Sequence, residues 1–190
     1  MLTQQEVERL VLRLCSGGTD PTAIQSCELS ADKACWIVRA NSAQYVLHGR
    51  LEFCRVGVNA YLVDPLTGEI EVVGSGCSVE QYLRDKQDLL FAGQKKYVLQ
   101  PAFDGYDSKR VIHLHQKIEC SLSDARKLAR NTEWWLTGKK RVLEEARDLL
   151  AKEGIPVNVT LAVNSGMAQV LADRPLFWNE LKKVLQAMAS

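Results

Sequence analysis

The pattern of apolar and polar residues in the first part of the chain predicts one helix followed by several short strands. Thr3 and Glu6 form a capping box, and the apolar residues after them recur at helical spacing, which predicts a helix over residues 3–14. The runs that follow are short and rich in strand formers, or they alternate with a period of two. They predict strands at 24–29, 34–40, 45–47, 55–63 and 69–73. Ser78 then begins a second helix, which is predicted to continue to Leu90.

A tight turn, Asp64–Gly68, joins the last two of these strands. Asp bonds to its own backbone in such turns, Pro65 presets φ, and Gly68 supplies a positive φ. Residues 69–73 alternate polar with apolar side chains, as a half-buried strand does. We therefore predict a β-hairpin whose special residues all serve turn geometry, so that the hairpin is scaffold.

The second part of the chain is predicted to combine strands and helices. Residues 110–115 alternate between polar and apolar side chains, which predicts a strand. Gly154 is placed to end a helix. The further elements, in chain order, are helices at 121–130 and 139–153, a strand at 155–163, and a last helix from near Pro175 through Leu185.

A change in composition divides the chain into two predicted domains. Residues 93–108 contain Gly93, two adjacent lysines, Pro101 and the polar run Asp104–Ser108, a composition typical of a linker. Residues 1–92 then form an α+β module, an antiparallel sheet with flanking helices, and residues 109–190 form a small βααβ-type α/β module with a C-terminal helix. The two parts also differ in net charge. Residues 1–90 carry 8 basic and 12 acidic side chains, whereas residues 91–190 carry 16 basic and 11 acidic side chains.

Overall composition excludes several classes of protein. Of the 190 residues, 46% are hydrophobic and 25% are charged, and the net charge is +1, all ordinary values for a globular protein. No apolar run approaches the roughly 18–20 residues that span a membrane. The first residues lack the charged and apolar regions of a secretory signal, so we expect a cytoplasmic protein with no membrane partner.

The six cysteines are interpreted as reduced thiols, because they are scattered and include no Cys-x-x-Cys pair. They are Cys15, Cys27, Cys35, Cys54, Cys77 and Cys120. Buried thiols of this kind pack as small hydrophobic side chains. A thiol nucleophile paired with His48 is the alternative, but no local catalytic signature supports it.

Two histidines raise the alternative of a metal site. On the predicted strand, His113 and His115 share one face and would make two zinc ligands, with Cys120 or Glu119 as a candidate third. The favoured interpretation is a polar stripe facing solvent opposite Ile112. We therefore predict no bound metal and no other cofactor.

Two further motifs suggest phosphate or nucleic acid. Gly74-Ser75-Gly76 precedes a helix, but it lacks the rest of a phosphate-binding fingerprint, and a strand exit at positive φ explains it better. The basic run 139–141 lies near Trp134 and Trp135, which would suit nucleic acid. Acidic residues follow at i,i+4 spacing on the same helix, so we expect ion pairs there and no nucleic-acid partner.

The two adjacent tryptophans are instead predicted to contribute to a protein interface. Trp134 and Trp135 cannot easily face one core together, so we expect one of them to be exposed, and exposed aromatic residues often anchor binding partners. The alternative is that both rings are buried under a loop. Glu69 and Glu71, on the acidic first module, complete the predicted partner-binding set.

Several of these motifs, taken in order, resemble the immunity protein 35 family of bacterial polymorphic-toxin systems. The resemblance covers about residues 3–90. It is carried by a tryptophan-led strand, the hairpin, a Gly-x-Gly and a short helix, at Ala34–Val38, Val63–Ile70, Gly74, Gly76 and Ser78–Leu83. Membership implies a protein that binds a cognate toxin and blocks it. The same family shape includes small heat-stable, chaperone-like proteins.

The second half is similar in its order of elements to the C-terminal domain of the bacterial ribosomal stalk protein. The matching segments are Val111–Lys117, 122–130 and 144–159. This similarity implies a fold shape and no function.

Taken together, the sequence predicts a non-enzymatic protein that neutralises a cognate bacterial toxin or effector by binding it. The alternative is a chaperone-like or adaptor protein that acts on several clients. A metal- or thiol-dependent enzyme is the third hypothesis.

Overall fold

The computed structural model describes residues 1–17, 20–131 and 134–189. The chain divides into two compact units, Met1–Arg84 and Asp85–Ser190. Each unit combines helices with a sheet, so the α+β prediction is confirmed.

The first unit is a four-stranded antiparallel sheet with helices. Its strands lie in the order β1-β2-β3-β4. In chain order the elements are α1 (Gln4–Leu14), β1 (Thr22–Leu29), β2 (Trp36–Ser42), α2 (Ala43–His48), a short 3-10 turn (Leu51–Phe53), β3 (Val58–Val63), β4 (Ile70–Gly74) and the start of α3 (Val79–Ala92). The predicted capping box is present at the start of α1, where Thr3 and Glu6 bond reciprocally.

Helices cover apolar side chains on both faces of this sheet. Val7 and Val11 of α1 pack in a buried cluster with Val38 and Val63. A second cluster combines Ala60, Leu62 and Val73 of the strands with Val79 at the start of α3. The two sets alternate along β3, as the two-residue period of a strand requires.

The β3–β4 hairpin forms as predicted and packs onto the first helix. Asp64 Oδ1 accepts hydrogen bonds from the backbone of Leu66 and Thr67, at 2.8 and 2.7 Å. Gly68 has a φ of 76°, and a Cβ there would lie only 3.2 Å from the Leu10 side chain. The turn therefore needs glycine for its backbone conformation and for its contact with α1.

The second unit is a mixed four-stranded sheet packed with helices. The strand order is β7-β5-β6-β8, with β5 antiparallel to β6 and β7, and β6 parallel to β8. After the end of α3 the elements are β5 (Lys96–Pro101), α4 (Ser108–Ile118), α5 (Leu122–Asn131), β6 (Leu136–Thr137), α6 (Lys140–Lys152), β7 (Val157–Ala162), β8 (Gln169–Val170) and α7 (Trp178–Ala189). One large buried cluster joins helices and strands of this unit.

The linker prediction for residues 93–108 is corrected by β5. This strand pairs with both β6 and β7, and its residues Tyr97, Val98 and Leu99 are buried. Gly93 before the strand and Pro101 at its end give this core strand the composition of a linker. The boundary between units falls after Arg84, inside α3, and not in the predicted linker.

Two predicted strands are helices. Residues 45–47 lie in α2, where Ser42 Oγ caps the helix by accepting from the Tyr45 backbone at 3.1 Å. Residues 110–115 lie in α4, because Asp107 Oδ1 accepts from the Lys109 backbone at 2.9 Å and starts a helix. The buried residues of α4 are Val111, Leu114 and Ile118, which follow helical spacing.

A glycine substitution tests the packing that ends α6. Gly154 has a φ of 73°, and an added Cβ would lie 2.9 Å from His113 Nε2. We expect Gly154→Ala to lower the free energy of unfolding, measured by urea denaturation, by about 1–2 kcal/mol for the backbone conformation, plus about 0.5–1.5 kcal/mol for the displaced histidine bond.

Gly93→Ala is the matched control. Gly93 also has a positive φ, of 59°, but nothing lies within 4 Å of its added Cβ. The free energy of unfolding of Gly93→Ala should therefore fall only by the amount that the backbone conformation contributes. Equal losses in the two variants would contradict a packing role for the His113–Gly154 contact.

Candidate functional site

The two histidines of α4 make structural bonds and do not share a face. Since α4 is a helix, residues two apart point about 200° away from each other. His113 Nε2 donates to the Glu153 carbonyl at 2.7 Å, and His115 Nδ1 donates to the Cys120 carbonyl. The prediction of a shared strand face is therefore wrong. Among the described residues, no group of three or more His, Cys, Asp or Glu side chains is arranged to hold a metal ion.

The cysteines are free thiols, and burial makes two of them weaker acids. Burial raises the pKa of Cys27 to about 11 and also raises the pKa of Cys120. Since a thiolate is the reactive form, these two are poor nucleophiles at neutral pH. Cys15 Sγ donates to the Tyr61 hydroxyl at 3.2 Å.

The Gly-Ser-Gly segment carries the chain from β4 into α3. Gly74 pairs with Val58 at the end of the sheet, and Ser78 Oγ accepts from the Gln81 backbone at 3.1 Å to cap the helix. Neither Gly74 nor Gly76 has a positive φ, so the expected conformational reason for these glycines is wrong.

Trp135 is a core residue. Its side chain is fully buried, its Nε1 donates to the Leu128 carbonyl at 3.1 Å, and its ring meets Phe103 edge to face with centroids 6.3 Å apart. It therefore offers no surface to a partner, and its place in the predicted partner-binding set is corrected.

Trp134, by contrast, is half-buried beside an exposed loop. A Cβ built on Gly166 would lie 3.7 Å from the Trp134 ring, so the loop between β7 and β8 passes close to the indole. The same loop exposes Val163 at 79% and Met167 at 95%. We call the three side chains Trp134, Val163 and Met167 the Trp134 surface.

Backbone bonds hold the Trp134 surface in place. The Trp135 backbone donates to Leu99 at 2.8 Å and accepts from Gln169 at 2.9 Å, which fixes the segment after Trp134 between two strands. Asn164 Oδ1 accepts from the Gly166 backbone at 2.9 Å and closes the loop. The backbone that carries these apolar side chains is therefore held by hydrogen bonds.

The predicted acidic residues lie in the other unit. Glu69 is exposed just before β4, whereas Glu71, the second residue of β4, is half-buried and accepts from the Tyr82 hydroxyl at 3.3 Å.

The basic run that begins α6 is held in ion pairs. Asp85, only 6% exposed, pairs with Lys139 at 2.9 Å and Arg141 at 3.4 Å. Asp173 joins the same two cations at 2.7 and 2.6 Å, and Lys140 pairs with Asp88 at 3.0 Å. The carboxylates that pair with these cations are distant from them in sequence, so ion pairs between separate segments hold the start of α6.

The pairing shifts the titration of its members. The hydrogen bond from Lys139 holds the pKa of Asp173 below its usual 3.8, helped by Arg141. The hydrogen bonds to Asp173 and Asp85 raise the pKa of Lys139, and the bond to Asp88 raises that of Lys140. All of these shifts favour the charged forms.

A cleft of about 330 Å³ lies beside this ion-pair cluster, within the second unit. Its walls include Leu89, Ala92, Tyr97 and Val170. Four lysines and two aspartates also line it, among them Lys95 and Lys96. Sequence reasoning missed the cleft and the ion-pair cluster. In the sequence, Asp85 and Asp88 are only charged positions on one helix, and their partners at the start of α6 lie beside them only in the folded protein.

Comparisons with protein-family models, with curated proteins and with solved structures found no match. The resemblance to the immunity protein 35 family therefore stays a prediction. In the part of the chain that the structure describes, no helix has the length and apolar character needed to cross a membrane.

Substitution of Asp85 tests the ion-pair cluster. Asp85→Asn leaves two cations with a weaker partner, so we expect the free energy of unfolding to fall by about 1–3 kcal/mol in urea denaturation. The control is Asp148→Asn, since Asp148 is 63% exposed and, among the described residues, forms an ion pair only with neighbouring Arg147. Its free energy of unfolding should fall by no more than about 0.5 kcal/mol. The two variants losing equal stability would be inconsistent with a central role for Asp85.

The pH dependence of stability tests Asp173. Because its folded pKa lies below 3.8, its pairing stabilises the protein above that pH and is lost as the pH falls through the folded pKa. Asp173→Asn cannot titrate, so its free energy of unfolding should fall less than that of the wild type between about pH 5 and pH 2. Identical slopes for wild type and variant would contradict the shift.

Proposed function

We propose that the protein acts by binding another protein, with the Trp134 surface as a contact region. The observation that carries this proposal is the placement of Met167 and Val163, which are 95% and 79% exposed, on a loop that passes close to a half-buried tryptophan. Tryptophan and methionine are enriched where protein interfaces bury apolar area. Hydrogen-bonded backbone beneath them limits the ordering entropy that binding costs.

The side chains that the sequence suggested for a metal site or for nucleic-acid contact instead make bonds within the protein. His113 and His115 bond to backbone carbonyls, and the basic run of α6 is paired with carboxylates. Structural bonds of this kind account for these residues without a reaction.

We further propose that the partner is a bacterial toxin or effector, which this protein neutralises. The support is the sequence resemblance of residues 3–90 to the immunity protein 35 family. The tryptophan-led strand, the hairpin and the helix after Gly-x-Gly occur as β2, β3–β4 and α3 in that order.

Neutralisation is tested by co-expression with the effector encoded beside this protein's own gene. We expect the wild type to rescue growth. In calorimetric titration, it should bind the purified effector saturably at one site. Growth arrest despite co-expression, together with no binding to that effector, would contradict the immunity function.

Two substitutions locate the contact. Met167→Asp places a charge on a side chain that is 95% exposed, so stability should be unchanged while affinity for the effector falls by roughly tenfold or more. Val56→Asp is the matched control in the first unit, where Val56 is 91% exposed. Equal affinities for Met167→Asp and wild type would remove the Trp134 surface from the interface.

A chaperone-like or adaptor function is the second candidate. It is favoured by exposed apolar side chains in both units, which include Leu47, Leu51, Leu90 and Phe91. Suppression of aggregation of an unrelated heat-denatured enzyme, such as citrate synthase, at equimolar protein would favour this candidate over a single cognate partner.

A further inference from the structure

The cleft of the second unit has an apolar interior whose polar groups are already bonded. The Tyr97 hydroxyl donates to the Asp88 carbonyl at 3.2 Å, and the Thr137 hydroxyl donates to the Tyr97 carbonyl at 2.8 Å. Tyr97 and Thr137 are therefore satisfied within the protein. The surface that Tyr97 and Thr137 expose to the cleft is therefore largely hydrocarbon, as is the surface of Leu89, Ala92 and Val170.

The charged residues around the cleft have an excess of free positive charge. Asp85 and Asp88 are each paired, with Lys139 and Lys140 respectively. Lys95 and Lys96 are exposed, and neither lies in an ion pair with any described residue. The cleft thus offers two unpaired cations beside an apolar interior.

The walls are held in position before any ligand arrives. The Lys140–Asp88 ion pair, at 3.0 Å, joins the start of α6 to α3, and Lys140 Nζ lies 5.8 Å from the centre of the Tyr97 ring. A preformed cavity reduces the ordering cost of binding. Its volume of about 330 Å³ falls at the lower end of the range of small-molecule sites.

We propose that this cleft binds a small amphipathic anion, with its apolar body against Tyr97, Ala92 and Val170 and its single anionic group near Lys95 and Lys96. A cationic ligand is disfavoured because both carboxylates are already paired. A fully polar anion would leave the apolar walls unmatched. This site is separate from the Trp134 surface and does not depend on the proposed partner.

Calorimetric titration of the full chain with sodium decanoate and, separately, with decanol tests the site. Decanoate supplies both the apolar body and the anion, whereas decanol supplies only the body. We expect decanoate to bind more tightly than decanol, and the difference to shrink at high salt. Failure of decanoate to bind at millimolar concentration, or equal binding of the two compounds, would overturn the proposal.

Two variants place the bound anion. Lys95→Ala/Lys96→Ala should weaken decanoate binding by roughly threefold or more and leave decanol binding unchanged, because exposed charges each contribute modestly. The matched control is Lys109→Ala/Arg110→Ala, an adjacent exposed basic pair at the start of α4. Equal weakening by the two double variants would show general charge attraction and contradict the assigned site.

A third variant tests the apolar walls. Val170→Trp should block the cleft and abolish binding of both compounds, whereas Val163→Trp, on an exposed residue that does not line the cleft, should not. Both positions are more than half exposed, at 68% and 79%, so the fold should tolerate the larger side chain, as melting temperature will check. Unchanged decanoate binding by a folded Val170→Trp variant would overturn the proposal.

Discussion

The buried carboxylate of Asp85 is the constraint on which the second unit depends. A charge at 6% exposure is costly unless it is paired, and its partners Lys139 and Arg141 stand at the start of α6. Asp173 shares both cations and so connects the segment after β8 to the same cluster. The ion pairs thereby set the positions of α3 and α6, and the cleft with its apolar walls lies beside them.

Much of the local structure follows from short-range chemistry that the sequence displays. The Thr3 capping box and the Asp64 turn depend on hydrogen bonds between residues two or three apart, and both were predictable. Residues 110–115 were not, because Val111 and Leu114 fit the helical period while their neighbours fit the strand period. Asp107, which caps α4, decides between them, and it lay in the segment interpreted as a linker.

The candidate sites were less predictable, since burial and pairing depend on tertiary contacts. Adjacent tryptophans were expected to differ in exposure, and Trp135 is buried while Trp134 is half-buried, but only the fold shows which one enters the core. Likewise, the basic run of α6 was expected to pair along its own helix. Arg141 does approach Glu145, at 3.5 Å, yet the shorter contacts come from aspartates more than 30 residues away in sequence.

Native-state hydrogen exchange tests most directly whether the Asp85 cluster makes residues 85–92 part of the second unit's cooperative core. If it does, amides in this part of α3 will exchange through the same global opening as those of β5, with similar free energies. In the Asp85→Asn variant, the free energy of opening measured at the α3 amides should fall by at least as much as the free energy of opening measured at the β5 amides. Exchange of the wild-type α3 amides by local fraying, with a free energy far below that of β5, would contradict the account.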